Sequence, residues 1–366
     1  MRAALLEASE KPLTIVDDID IDDPRAGEVL VRVSHCGVCH SDLSIANGQY
    51  PLMSPTVLGH EAAGVVEAIG AGVTTLAVGD KVVLTPAPAC NACYWCVRGE
   101  YGCCVNNASV STGVLGDGRS PLSRHGAQVL RGVGLGGFAE LVITPESGAV
   151  KVAADTPLEI ACVIGCAVQT GVGAVFNTAR VPEGATVLVI GAGGIGIAIT
   201  QGARIAGAAR IIVSDPVAAR RKNALRFGAT DVVDPTAEDV TARVHALTDG
   251  IGVDDAFDAV GSGSVIETCI WSTRNGGTTV LVGAGGLDQS VNLAPPVLFM
   301  LSERKIMGSF LGGSNGRRDI PRLLSLWRAG RLDLEGMITA RRPLAEVNEA
   351  FADMTAGLGL RTVLTI

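Results

Sequence analysis

Aromatic residues are scarce in this 366-residue chain: seven Phe, three Tyr and three Trp, or 4% of the whole. Its core must therefore be built mostly from Val, Ala, Leu and Ile. Positive charge is also in short supply, with 29 Lys and Arg against 37 Asp and Glu and a net charge of -8. No basic stripe forms, which excludes a nucleic-acid surface, and the pairs Arg220–Arg221, Arg317–Arg318 and Arg341–Arg342 read as solvated faces. No apolar run approaches the roughly 20 residues that span a bilayer, so no membrane partner is expected. The stretch Met1–Asp18 turns acidic too early for a signal peptide, which makes the cytoplasm the expected compartment. What is present is 48% hydrophobic residues with 18% charged, on a chain longer than one ordinary core. Two well-buried domains are the expectation.

Ten cysteines in such a chain argue for metal or thiol chemistry over disulfides. Four fall within fifteen residues, Cys90, Cys93, Cys96 and Cys104, spaced C-x2-C-x2-C-x7-C. Thiolates this close converge on one small ion, and four of them close a tetrahedral zinc site to water, the mark of a structural metal. Cys36, Cys103, Cys162 and Cys269 read as buried or inert thiols. Cys103 is placed to compete with Cys104 for the ion.

Residues 1–165 read as strands, turns and loops, with strand-like stretches at Glu28–His35, Ala63–Ile69 and Lys81–Thr85. Asn106–Gly137 is polar and glycine-rich, and reads as a long surface loop. After Ala167 the character changes. Strands at Thr186–Ile190, Arg210–Ser214, Asp231–Val233, Asp255–Ala259 and Thr278–Val282 alternate with helices at Ala218–Phe227, Asp239–Thr248 and Val265–Trp271. That alternation implies a parallel sheet with helices on both faces. From about Gly308, two helices and a last strand, Arg361–Ile366, are expected to pack back on the first domain.

The strand Thr186–Ile190 leads into Gly191-Ala192-Gly193-Gly194-Ile195-Gly196, and an acid, Asp215, stands 19 residues beyond Gly196 at the end of the next strand. A G-x-G-x-x-G run is weak alone but strong between a strand and a helix. Gly191 suits the tight turn, Gly193 lets backbone approach a pyrophosphate, and Gly196 lets helix and sheet pack closely. Helix amides, including those of Gly194 and Ile195, favour the phosphates. Asp215 suits the ribose hydroxyls of an adenosine and would repel a 2′-phosphate, so NAD is expected over NADP. Arg220 is expected beside the same ribose.

Two further motifs are Gly37-Val38-Cys39-His40-Ser41-Asp42 and Gly59-His60-Glu61-Ala62-Ala63-Gly64. Singly, His60 reads as a turn residue, Ser41 as a cap and Cys166 as a small core residue. In this order, with the four-cysteine lobe, Gly165-Cys166 and the glycine-rich turn, they resemble the zinc-dependent medium-chain alcohol dehydrogenases over nearly the whole chain. The lobe and the long segment after it are similar to the dimeric liver-type and class III-like branch, and also to bacterial nicotinoprotein-like members. The resemblance implies an α/β fold: a GroES-like β-rich catalytic domain, residues 1–167 and 309–366, plus a Rossmann doubly wound parallel-sheet coenzyme domain, residues 168–308. It implies NAD and two zinc ions per subunit, with Cys39, His60 and Cys166 on a catalytic zinc and Glu61 behind it. Asp42 would hydrogen-bond a ligand, most naturally the His60 ring. His40 and Arg361 would touch the cofactor pyrophosphate, Thr170 the nicotinamide, and Ser41 would carry away the alcohol proton. A homodimer is implied, with an edge at Thr278–Met307 and Val291–Leu301 crossing it.

Departures from the family pattern shape the substrate expectation. Ser44 stands where many members have a proton-relay histidine. Tyr50 and Ala108 stand where glutathione-dependent members have an acid and an arginine, so no turnover of S-hydroxymethylglutathione is expected. Pro86 replaces a common pocket aromatic, with Phe138 and Tyr50 as remaining walls. The expectation is a primary, aromatic or allylic alcohol as substrate. The alternatives are a nicotinoprotein that recycles bound NAD with a second substrate, a polyol or secondary-alcohol dehydrogenase, and a non-catalytic zinc protein, which the intact ligand set argues against.

Overall fold

The computed structural model describes residues 1–50 and 55–366. The chain forms two compact units: residues 1–167, 315–329 and 334–366 in the first, and 168–314 with 330–333 in the second. The return to the first unit falls at Asn315, a few residues beyond Gly308. The reason is local. Within the second unit, the turn Phe310–Gly313 offers the Gly312 carbonyl to the Asn177 amide at 3.1 Å, and Ser309 Oγ lies 2.9 Å from Thr178 Oγ1.

In the second unit six strands form one sheet in the order Asp231–Val233, Arg210–Ser214, Thr186–Ile190, Val253–Asp258, Thr273–Leu281 and Lys305–Gly308. Every neighbouring pair is parallel. Read in chain order this is the doubly wound sequence 3-2-1-4-5-6. The central runs TVLVI and RIIVS are buried along nearly their whole length, as strands covered on both faces must be.

In the first unit, strand Glu28–Gly37 pairs antiparallel with Glu61–Ile69 on one side and with Arg361–Thr365 on the other. The register sets Gly37 opposite both Glu61 and Val363. Three segments distant in sequence, around Cys39, His60 and Arg361, are thereby brought to one end of one sheet. The C-terminal strand does return to the first unit. A second sheet of six strands completes the unit, and its apolar core joins Leu5, Leu6, Val57, Leu58 and Phe138.

Three expectations are corrected. Asn106–Gly137 is not one loop: it holds the helix Ala108–Thr112 and a hairpin of Leu122–Arg124 with Ala127–Arg131. The signal was the dipeptide His125-Gly126, both at positive φ, 52° and 79°. Such a pair closes a two-residue hairpin whose twist matches its strands. The arginine pairs are not simply solvated. Arg221 donates to Asp234 at 2.6 Å and to the Asp215 carbonyl at 2.7 Å, Arg318 grips Asp319, and Arg342 bridges Glu346 and Asp353. Phe138 is fully buried, stacked obliquely on Phe351 at 6.4 Å, and belongs to the core rather than to a pocket wall.

Candidate active site

Cys39 caps the short helix His40–Ala46, and Asp42 in its first turn accepts from the Cys39 amide at 3.3 Å. The other Asp42 oxygen accepts from the Gly59 amide at 2.9 Å and lies 3.0 Å from His60 Nδ1. One buried carboxylate thus fixes the helix, the turn before His60 and the tautomer of the ring. The contact between Asp42 and His60 is the one expected from sequence. Cys166 arrives from a separate turn that ends the 3-10 segment Cys162–Gly165.

The sulfurs of Cys39 and Cys166, a nitrogen of His60 and a carboxylate oxygen of Glu61 all lie within 4.8 Å of one another, all buried. His60 Nε2 is buried and has no hydrogen-bond partner among the described residues. A buried ring nitrogen left so beside two sulfurs is costly in apolar surroundings, and a metal ion in place of a proton would satisfy it. The protonation pattern agrees. The Cys166 thiol hydrogen-bonds to Cys39, and with His60 it holds the Cys39 thiol well below its ordinary range against the effect of burial. That same bond, with burial, pushes Cys166 well up. Burial would lower His60, but Asp42 and Cys39 outweigh it and raise it well above the usual range. Protons occupy this site in competition with a dication, and metal binding would expel them.

Glu61 stands behind the set. Burial raises it to about 7 against the pull of Arg361, whose Nε lies 3.5 Å from Glu61 Oε2. Arg361 is 4% exposed and donates to the Val38 carbonyl at 2.7 Å. Its pairing with Glu61 was not legible in sequence, because the two residues lie 300 apart and meet only across the strand Glu28–Gly37. Gly37 opposite Glu61 is needed as glycine: a Cβ there would collide with the Glu61 carboxylate. Ser41 Oγ lies 3.9 Å from Cys39 Sγ, half-buried at the same helix start, while His40 is exposed.

The four cysteines of the lobe also meet, all sulfurs within 4.8 Å. The amides of Cys90 and Asn106 donate to Cys104 Sγ at 3.3 and 3.4 Å, and that of Cys93 to Cys90 Sγ at 3.3 Å. These bonds stabilise thiolates, and the spacing C-x2-C was their signal. Cys103 is exposed and outside the cluster, so it does not compete with Cys104.

In the second unit the glycine-rich turn opens the helix Gly194–Ala206 with no side-chain cap on its first amides. At Gly193 a Cβ would meet nothing, so the turn presents open space in front of those donors. At Gly196 a Cβ would strike the Gly191 carbonyl. The fit to a pyrophosphate rests on that uncapped helix start and the open cradle. Asp215 is 3% exposed and accepts from the amides of Ala192 and Val217, each at 2.8 Å, with Arg220 4.0 Å away. It therefore braces the turn. Thr170 lies buried in the helix Ala167–Gly173.

Comparison with known proteins gives a consistent picture. Residues 25–154 match the alcohol dehydrogenase GroES-like domain, and residues 194–328 the zinc-binding dehydrogenase family. The chain is 37% identical to S-(hydroxymethyl)glutathione dehydrogenases of Synechocystis sp. and of Haemophilus influenzae, over 99% of this chain and 99% and 96% of theirs. A crystal structure of an alcohol dehydrogenase zinc-binding domain protein from Burkholderia ambifaria superposes with a TM-score of 0.94 at 36% identity, covering 100% of this chain and 98% of that one. Benzyl alcohol dehydrogenase from Acinetobacter calcoaceticus gives 0.93 at 30%, covering 100% and 99%. With its two cysteine-based metal sites and its dinucleotide turn, the chain belongs to the zinc-dependent medium-chain alcohol dehydrogenase family.

Proposed function

We propose that the protein interconverts a primary alcohol, aromatic or allylic by preference, and its aldehyde with NAD. The observation that carries this reading is the buried set Cys39, His60 and Cys166, with His60 Nε2 unpartnered among the described residues and Ser41 at its edge. Those three residues would hold a zinc ion, with Cys90, Cys93, Cys96 and Cys104 holding a second. A zinc ion with an open position supplies Lewis acidity that brings an alcohol's ionisation towards neutral pH. Ser41 would take the alcohol proton. Asp42 keeps His60 in its ligating tautomer, and Glu61, balanced by Arg361, tunes the ligand field. NAD supplies the hydride acceptor, held by the turn Gly191–Gly196 with Gly194 and Ile195 at its helix start. His40, Thr170, Arg220 and Arg361 are proposed as its further contacts. The Asp215 carboxylate supports NAD over NADP.

The preference for larger alcohols is supported by Pro86 at the pocket aromatic position and by the likeness to the benzyl alcohol dehydrogenase. Although the relatives from Synechocystis sp. and Haemophilus influenzae are named for S-(hydroxymethyl)glutathione, Tyr50 and Ala108 here offer no charge to glutathione carboxylates. A homodimer is supported by the edge strand Lys305–Gly308, exposed along its length, and by Met300 and Leu301, 64% and 69% exposed. A reducing, cytoplasmic location is supported by ten cysteines that are all free of disulfides.

The test is NADH formation with ethanol, benzyl alcohol, cinnamyl alcohol, a polyol and S-hydroxymethylglutathione. Benzyl or cinnamyl alcohol is expected to lead in kcat/KM, with activity lost on removal of zinc. Ethanol ahead by tenfold, or robust turnover of the glutathione adduct, would overturn the substrate assignment.

A further inference from the structure

Arg131 closes the hairpin strand Ala127–Arg131 and is 2% exposed, the largest of the fully buried side chains. Its Nη1 donates to the Gly134 carbonyl at 2.9 Å and to the Ile143 carbonyl at 3.3 Å. Neither acceptor is an acid, and its Nε has no partner among the described residues. Burial lowers this guanidinium to about 10, with Glu28 as the main opposing charge. A buried cation spent on two backbone carbonyls destabilises a fold unless it fixes something that would otherwise relax.

What it fixes is a turn in an unfavourable conformation. Val133, between Arg131 and Gly134, stands at φ 51° and ψ 36°, a left-handed geometry that β-branched side chains avoid. Gly134 follows at φ 75°, pressed so closely on Pro86 that a Cβ would lie 2.6 Å from the Pro86 carbonyl. The chain leaving this turn pairs with the segment just before His60. The Gly137 amide donates to the Gly59 carbonyl at 2.6 Å and the Phe138 amide to the Leu58 carbonyl at 2.8 Å. The Gly59 amide in turn donates to Asp42, which holds His60.

We propose that Arg131 is a positioning residue for the His60 imidazole: it locks the left-handed Val133–Gly134 turn, which clamps Leu58–Gly59 and so aims His60 at the metal position. The inference rests on the zinc-site reading above. It requires no knowledge of the substrate, and nothing in the sequence marks Arg131 apart from other arginines.

The experiment is chelator-driven metal release from purified protein, read separately for the two sites, together with the visible absorption of enzyme carrying Co(II) at the catalytic position. Arg131→Met is expected to speed release from the Cys39, His60 and Cys166 site by tenfold or more. It should also alter the Co(II) bands while leaving release from the four-cysteine lobe unchanged. Arg131→Lys, which keeps charge and reaches one carbonyl, should fall between. Adding Val133→Gly to Arg131→Met should restore slow release, because glycine holds the left-handed turn unaided. Wild-type release in Arg131→Met, equal loosening of both sites, or no rescue by Val133→Gly would overturn the proposal. If Arg131→Met does not fold, Arg131→Lys decides by the same criteria. A wild-type protein that binds no ion at Cys39, His60 and Cys166 would instead overturn the zinc-site reading itself, and the proposal with it.

Discussion

Asp42 Oδ1 lies 3.0 Å from His60 Nδ1, and neither side chain is more than 1% exposed. The same oxygen accepts from the Gly59 amide, so the carboxylate is anchored on one side before it orients the ring on the other. Outer partners of this kind commonly govern metal affinity by about ten- to a hundredfold. Asp42→Asn is therefore expected to weaken zinc at this site by that factor, with the lobe zinc retained. Equilibrium competition with a chromogenic chelator would measure it, and unchanged affinity would show that the ring is held by packing alone.

Ser41 Oγ stands at the first turn of its helix, 3.9 Å from Cys39 Sγ. Ser41→Ala should keep both zinc ions and lower kcat by about a hundredfold or more, the usual scale of a positioned proton acceptor. Ser41→Thr should retain most activity. Ser44→His should speed proton release at low pH, visible as an added ionisation in the pH–rate profile.

Cys103 and Cys104 are neighbours with opposite fates. Cys104 accepts from two backbone amides inside the cluster, whereas Cys103 faces solvent. Cys103→Ser is expected to leave the zinc content at two per chain. Cys104→Ser should remove one ion and lower Tm markedly, since binding free energy of a structural zinc is folding free energy. Elemental analysis with thermal unfolding separates the two.

Asp255 lies buried in the strand Val253–Asp258, and burial, helped by the charge of Asp254, raises it to about 6. The folded state therefore binds this proton more tightly than the unfolded chain. The contribution to stability is fully present below pH 4 and is lost as pH rises to 6, a change of at most about 3 kcal/mol. Asp255→Asn should raise Tm by a few degrees at pH 8 and leave it unchanged near pH 4. Calorimetry at the two pH values checks the sign.

Much of the site was legible because each piece has a local cause. The four-cysteine spacing, the strand–turn–helix around Gly191–Gly196 and Asp215 at the next strand end are short-range patterns, and the structure keeps each within one segment or between adjacent strands. The hairpin at Leu122–Arg131 was missed because its strands are only three and five residues long, and the polar residues flanking His125-Gly126 hide the alternation.

The sequence by itself determined which atoms are available: thiols, one imidazole, a hydroxyl and a glycine turn, with the strand periods that place them. Only the tertiary structure decided which of them meet. The register of Glu28–Gly37 against Glu61–Ile69 and Arg361–Thr365 sets Glu61 against Arg361, and the amides of Gly137 and Phe138, just after the Arg131 turn, bond the carbonyls of Gly59 and Leu58. These are contacts across tens to hundreds of residues, specified by sheet register and by the packing of buried charge, and no local propensity encodes them.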